Sequence, residues 1–386
     1  MLLVLTSLVH SEVETGFFWH VTDFHYDKNY TTHGVRDTMC HLFSNRSGSG
    51  DIGPYGDVKC DAPKLLVESV VAAMQSIEPN PDFVFWTGDN LPHVEDVPWS
   101  EVYAQTRWLG QRLSEAFPGY PVVPTLGNHD CSPPNYMRPN NMSLFLSDAG
   151  FNELLPSMLW YTGNKAPAPT GSVDDQLVWL REQLQEAHQL GQKVFISGHV
   201  APGFYTHALT PELGTSGLLR DEINEAYQDL IANFTDVVSG QFFGHQHANS
   251  LVVLSDANGQ PVGSAQVAAS VTPWTTSDDL KLSLAVPTNP MVRLYKYDRA
   301  STRLLDYTVY YLDYDKVNMH PNETPKWEPL YTLTTQYGVC DVSTASMVDL
   351  SQRLNSSSEL LDTYIWLATA FNNSCNSFCR RVQLCS

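Results

Sequence analysis

Between residues 16 and about 315, short runs of strand-forming residues alternate with longer stretches whose apolar positions recur at helical spacing. FFWHVT (17–22) reads as a strand that ends at Asp23. KLLVESVVAAMQSI (64–77) places Leu66, Val70, Met74 and Ile77 on one face and reads as a helix opened by Asp61 and Pro63. DFVFWT (82–87) follows as a second strand, a helix runs from Ser100 to Phe117, and PVVPTL (121–126) is a third strand. A helix from about Ser172 to Gln189 precedes the strand KVFISG (193–198), and helical residues near 219–232 precede VVSGQFF (237–243). Strands that alternate with amphipathic helices predict a layered α/β domain.

Past residue 250 the texture changes. LVVLSDANGQPVG reads as a hairpin closed at Asn258-Gly259, and MVRLYKYD (291–298) with STRLLDYTVYYL (301–312) reads as a second one. These antiparallel strands are expected to join a sheet packed on the first half. From Asn322 a proline-containing linker leads to residues 340–386, which read as helical. The expected organisation is a short apolar segment over 1–15, a main α/β domain over 16–322 and a small C-terminal helical subdomain over 323–386.

The residues at the strand ends turn this pattern into chemistry. Five strands end in Asp23-Phe24-His25, Gly88-Asp89, Gly127-Asn128-His129-Asp130, Gly198-His199 and Gly244-His245-Gln246-His247. One Gly-Asp after a strand is ordinary turn chemistry. Repeated at five strand ends, metal-ligand residue types mark a site, because open α/β sheets bind ligands beyond the carboxyl ends of their strands. The candidate ligands are Asp23, His25, Asp89, Asn128, His199, His245 and His247. Imidazole and carboxylate donors without thiolate suit zinc, iron or manganese better than a closed structural zinc site. Asp89, with two oxygens, is the natural bridge between two metals. His20 lies mid-strand and reads as a core or surface residue. His33, His41, His188 and His320 read as surface, His207 as a pocket candidate, and Trp274 as packing near the cleft.

Composition narrows the partners and the compartment. Acidic residues number 42 against 22 basic, a formal charge of −20, which argues against nucleic acid polymers or an anionic membrane surface. No apolar run is long enough to span a bilayer. Glycosylation sequons occur at Asn29, Asn45, Asn141, Asn233, Asn322, Asn355 and Asn372. Together with the apolar stretch Met1–Val9, they point to an exported, disulfide-permissive protein. In that setting Cys40 is expected to pair with Cys60 and Cys375 with Cys379, leaving Cys131, Cys340 and Cys385.

The blocks DFH…GD…GNHD…GH…GHQH resemble the calcineurin-like metallophosphoesterase superfamily. GFFWHVTDFHYD, GDVKCD, FWTGDNLPH, TLGNHD, ISGHVAPG and GQFFGHQH, with the later VTPW and NP, are similar to acid sphingomyelinase-like phosphodiesterases. The resemblance implies a βαβ sandwich of two mixed sheets flanked by helices. It also implies two zinc ions, one on Asp23, His25, Asp89 and His247 and the other on Asp89, Asn128, His199 and His245. The implied reaction is attack on phosphorus by a metal-bridging hydroxide. His129 and His93 would protonate the leaving oxygen, with Asp130 orienting His129. Relatives that act on lipid carry a saposin-like segment not seen here, so soluble phosphodiesters or nucleotide-type phosphoanhydrides are the expected substrates. Sphingomyelin is the alternative. Relatives are longer between Pro133 and about Trp160, which leaves a catalytically impaired glycoprotein as a further reading. A monomer, secreted or lysosomal, acting on a small molecule is expected.

Overall fold

The computed structural model describes residues 14–42, 48, 50–95, 97–134, 172–203, 219, 221–274 and 288–371, together with a short strand β1 (Leu2–Leu5). The first half continues β2 (Thr15–Val21), α1 (Lys64–Ile77), β3 (Phe83–Trp86), α2 (Trp99–Ala116) and β4 (Val122–Pro124). It then runs α3 (Ser172–Gln189), β5 (Lys193–Ser197), α4 (Asp221–Ala232) and β6 (Val238–Phe243). The second half runs β7 (Ser250–Ser255), β8 (Pro261–Val267), β9 (Met291–Asp298), β10 (Leu304–Tyr311), α5 (Tyr314–Met319) and β11 (Glu328–Thr332). Helices α6 (Leu333–Tyr337), α7 (Thr344–Ser356) and α8 (Ser358–Ala368) follow.

The strands form two mixed sheets, ordered β11-β10-β9-β2-β3-β4 and β1-β5-β6-β8-β7. Side chains alternate across a strand, so β2 sends Phe18 to one face and Trp19 and Val21 to the other. Phe18 stacks on Phe83 at 4.6 Å and on Tyr295 at 4.9 Å within its own sheet. Across the interface it meets Phe195 at 5.7 Å and Phe242 at 5.3 Å, which joins the two sheets face to face. Trp19, Val21, Val84 and Trp86 pack instead against Leu66, Val70 and Met74 of α1 and Leu109 and Leu113 of α2. On the far side of the second sheet, Val194, Ile196 and Phe243 pack against Leu180 and Leu184 of α3 and Tyr227 and Leu230 of α4. The result is a helix–sheet–sheet–helix stack, the expected architecture.

Strand direction positions the site. β2, β3 and β4 run parallel in register, with Val21 opposite Trp86 and Trp86 opposite Pro124. β5 and β6 are parallel in the second sheet, with Ser197 opposite Phe242. Five carboxyl ends therefore emerge at one rim, where Gly244 N–H donates to His199 O at 2.9 Å within the second sheet and Val271 N–H donates across to Thr22 O of the first at 3.2 Å.

Both expected hairpins form, β7–β8 and β9–β10. In the first, Gly259 adopts φ 75° and the Asp256 carboxylate accepts the backbone N–H of Asn258 and Gln260. Within the C-terminal stretch, β11 hydrogen-bonds β10, and Leu350, Leu354, Leu361 and Ile365 share the core that holds Phe18 and Phe242. The expected helix bounds shift slightly, with α2 starting at Trp99 and α4 at Asp221. One reading is corrected. Asp61 does not open α1, whose N-cap is Pro63 without a side-chain cap; Asp61 is fully buried at the rim.

Candidate active site

The ends of β2, β3 and β6 turn sharply. Asp23, His25, Asp89, His245 and His247 adopt φ of 51°, 41°, 54°, 72° and 56°, values that non-glycine residues rarely take. Such backbone persists where the surrounding structure enforces it, and it aims these side chains into one cleft. The neighbouring glycines make room. A Cβ on Gly127 would lie 2.1 Å from Asp89 Oδ1, and one on Gly244 would lie 2.1 Å from Thr22 Oγ1 and 2.5 Å from Asp23 Oδ2.

Asp89 uses one oxygen for the scaffold and presents the other, and Asp23 does so chiefly, its Oδ1 also reached by His245 N–H at 3.2 Å. Asp23 Oδ2 accepts Thr22 Oγ1 at 2.6 Å and His245 N–H at 3.0 Å. Its Oδ1 lies 3.4 Å from His247 Nε2 and 3.8 Å from His25 Nε2. Asp89 Oδ1 accepts His129 N–H at 2.7 Å, while Oδ2 faces His199 Nε2 at 3.1 Å and His25 Nε2 at 3.5 Å. The structure thus brings Asp23, His25 and Asp89 together, and likewise Asp89, His199 and His245, with donor atoms in each group within 4.8 Å of one another. His247 joins His25, and Asn128 Oδ1 lies 3.1 Å from His199 Nε2.

Electrostatics show that this cluster is built for cations. His25 Nδ1 donates to Leu91 O and His199 Nδ1 to Thr87 O, each at 2.7 Å. A carbonyl only accepts, so the Nδ1 proton is fixed and Nε2 points inward, the arrangement expected of a ligating histidine. His25 Nε2 then meets His247 Nε2 at 3.1 Å, and His199 Nε2 meets a carbonyl oxygen at the same distance. Lone pairs so placed repel unless a cation lies between them. In the metal-free chain protons fill this role. Burial disfavours charge on His25 and His199, yet Asp23 and Asp89 outweigh it and raise both rings to about 9. Burial raises Asp23 and Asp89 too, but the facing histidines hold both carboxyls below their usual range. Buried His245 is pushed down to about 3. Donor separations of 3.1 to 3.8 Å also match two bonds of about 2.0–2.2 Å from one ion. The residues fit divalent metal.

Known proteins agree with this geometry. Residues 18–249 match the calcineurin-like phosphoesterase family and residues 260–386 match the acid sphingomyelin phosphodiesterase C-terminal region. The chain belongs to the calcineurin-like phosphoesterase family. It is 32% identical to acid sphingomyelinase-like phosphodiesterase 3b of Mus musculus, over 97% of this chain and 87% of that protein. It is 30% identical to a cyclic GMP-AMP phosphodiesterase of Bos taurus, over 96% of this chain and 88% of that one. Sphingomyelinase phosphodiesterase C of Dictyostelium discoideum is 28% identical, over 97% of this chain and 90% of its own. The protein is accordingly a phosphoric ester hydrolase, and family membership implies divalent metal ions.

Beyond the candidate ligands, this phosphoesterase gathers both proton-donor candidates beside His25. The His93 ring lies 3.9 Å from His25 and 4.3 Å from His129, and His129 lies 5.1 Å from His25. Burial, with the charge of neighbouring histidines, holds His93 and His129 well below the usual imidazole range. Asp130 does not orient His129. Its carboxylate accepts backbone N–H from Gly127 at 2.7 Å, Asn90 at 2.8 Å and Asp89 at 2.9 Å, while His129 Nδ1 has no partner among the described residues. Asp130 instead braces the turn that carries Asp89. Burial and the nearby Asp89 charge push its carboxyl up to about 6.

The sequence pattern missed Asp61. Its Oδ1 accepts from His93 Nδ1 at 2.9 Å and from Thr272 Oγ1 at 3.2 Å, and its Oδ2 accepts His93 N–H at 2.5 Å. Burial raises its carboxyl above the usual value, against the pull of His25. Trp274 stacks on the opposite face of this arrangement, 3.6 Å from the His93 ring. The available signal was the motif GDVKCD, which sets Asp61 directly after Cys60. His20 is a core residue, bonded through Nε2 to Thr87 Oγ1 at 3.0 Å. His41, expected at the surface, is partly buried against Asp27, with Nε2 2.5 Å from Oδ2. His33, His188 and His320 are exposed as expected. His207 lies outside the described residues, as do residues 135–160, Cys375, Cys379, Cys385, Asn45, Asn141 and Asn372.

Proposed function

We propose that this phosphoesterase is a secreted or lysosomal dinuclear zinc enzyme that hydrolyses phosphodiester or phosphoanhydride bonds of soluble, nucleotide-type substrates. The observation that carries the reading is Asp89 Oδ2, which faces His25 on one side and His199 on the other. Asp23, His25, Asp89 and His247 would hold one ion, and Asp89, Asn128, His199 and His245 the other. Nitrogen and oxygen donors without thiolate suit zinc at an open, catalytic site. Such a pair, when bound, neutralises phosphoryl oxygens and lowers the pKa of water towards about 7.

The chain's own residues supply orientation and proton transfer. Backbone N–H groups hold the carboxylates of Asp89 and Asp23, which keeps the facing oxygens oriented into the cleft. His93 and His129 stand beside His25, 4.3 Å from each other, and are the groups that hand a proton to the departing oxygen. A fixed donor at this position contributes about 10²–10⁴-fold to such reactions.

Several features support the substrate and compartment. One relative is named for cyclic GMP-AMP, a nucleotide diester. The formal charge of −20 disfavours anionic membrane surfaces, and no described helix is long and apolar enough to cross a membrane. Asn29, Asn233, Asn322 and Asn355 are exposed, open to glycans, and Cys40 and Cys60 form a disulfide. The test is a turnover panel of nucleoside triphosphates, CDP-choline-like diesters, cyclic dinucleotides and micellar sphingomyelin from acidic to neutral pH. The proposal expects nucleotide-type compounds to be hydrolysed fastest. Sphingomyelin first would establish the lipid reading, and no turnover by metal-loaded protein would establish a silent glycoprotein.

A further inference from the structure

We propose that Asp61 is the positioning residue of this enzyme's proton-donating arm, fixing the ring of His93 so that Nε2 faces the reacting groups. The proposal rests on the reading of His93 as a proton donor. Its grounds are geometric. Both Asp61 oxygens are committed to His93, one at the backbone N–H and one at ring Nδ1, and Thr272 Oγ1 steadies the latter oxygen. The ring is also held by stacking on His25 and on Trp274, at 3.9 Å and 3.6 Å. With Nδ1 donating to a carboxylate, the rotation of the ring is set and Nε2 faces the site; to hand a proton over from Nε2 the ring carries one on each nitrogen, and the Asp61 carboxylate at Nδ1 balances that charge. His129, by contrast, has no such partner at Nδ1 among the described residues.

Asp61 is itself anchored to the metal cluster. Cys60, its neighbour, is bonded to Cys40. On its other side, Ala62 N–H donates to His25 O at 3.1 Å, and Ala62 O accepts Asp27 N–H at 2.9 Å. The segment 60–62 therefore runs as a short rail along the backbone of ligand His25, with Tyr26 and Ala62 in a parallel bridge. This links ligand geometry to donor geometry: the same backbone that holds His25 holds the carboxylate that aims His93. A carboxylate that merely filled space would not need both of its oxygens on one histidine.

The test uses metal-loaded full-length protein and the best substrate from the panel. Asp61→Asn keeps the volume but cannot accept both histidine bonds without meeting a donor. The expected result is a fall in kcat of about 10- to 100-fold, in line with loss of an outer carboxylate partner of a functional histidine. KM and metal content should stay unchanged. In a His93→Gln background, Asp61→Asn should cost nothing further, since its effect runs through His93. Multiplying losses, or a loss of metal, would overturn the proposal. Histidine ¹⁵N NMR reads the tautomer independently of turnover: His93 protonated at Nδ1 in the wild type and shifted in Asp61→Asn. An unchanged tautomer also overturns it. Should Asp61→Asn not fold, Thr272→Val, which removes one bond to Asp61, is expected to give a smaller loss of the same pattern, abolished in His93→Gln. Wild-type turnover in His93→Gln, with a shifted tautomer in Asp61→Asn, would sink the proton-donor reading while sustaining the placement of His93 by Asp61.

Discussion

At the residue scale, the site depends on close approaches that only glycine permits. A side chain at Gly127 would meet Asp89 Oδ1 at 2.1 Å, so Gly127→Ala must displace the carboxylate that faces both histidine groups. We expect this variant to lose bound metal and activity together, with a stability cost of about 1–3 kcal/mol from overpacking, measured by metal analysis and thermal unfolding. His41 offers a separate check at the same scale. The Asp27 hydrogen bond, opposed by partial burial, raises its pKa above 6.5. The folded state therefore favours the protonated ring, and the stabilisation is full below the ordinary value and fades as pH rises through the raised one. His41→Gln should narrow the stability difference from wild type as pH increases from 5 to 8, about the window in which imidazole titrates; a constant gap would contradict the pairing. The seven candidate ligands were legible in sequence because each follows a strand and most neighbour glycine. Asp61 was not, because its partner His93 is 32 positions away and its nearer context, before Pro63, reads as a helix start. Asp130 was misread for a similar reason: adjacency in sequence suggested His129, but the turn hands its carboxylate to backbone N–H groups.

Elements were more legible than individual contacts. The apolar spacing Leu66, Val70, Met74 gave α1 its full span, since those residues must cover Trp19, Val84 and Trp86. β2 was legible as a strand, but the partners of its faces were not: α1 and α2 cover Trp19 and Val21, and a second sheet beyond residue 190 covers Phe18. Phe18 is the centre of that contact, touching aromatic rings from both sheets. Phe18→Ala should destabilise the fold by about 3–5 kcal/mol, measured by denaturant unfolding, because it opens a cavity between sheets. The Cys40–Cys60 disulfide spans a separation of 20 residues. Replacing both cysteines by serine should cost about 3 kcal/mol by the chain-entropy account. Because Asp61 follows Cys60, turnover should fall by more than the unfolded fraction explains.

The whole molecule can be described as two sheets whose parallel strands all finish at one rim. Neither sheet alone supplies a complete site: Asp23, His25, Asp89 and Asn128 follow strands of the first, and His199, His245 and His247 follow strands of the second. The residue pattern revealed the five ends, while the two sheets were implied only by the family resemblance, since pairing between sheets leaves no local periodicity. The direct test of this account is metal content per folded chain, measured in wild type and in Asp89→Asn by elemental analysis. Two ions per wild-type chain, about what a dinuclear hydrolase holds, and a marked loss with turnover abolished in folded Asp89→Asn, are the expected results. An Asp89→Asn protein that keeps the wild-type metal complement and turnover would contradict it.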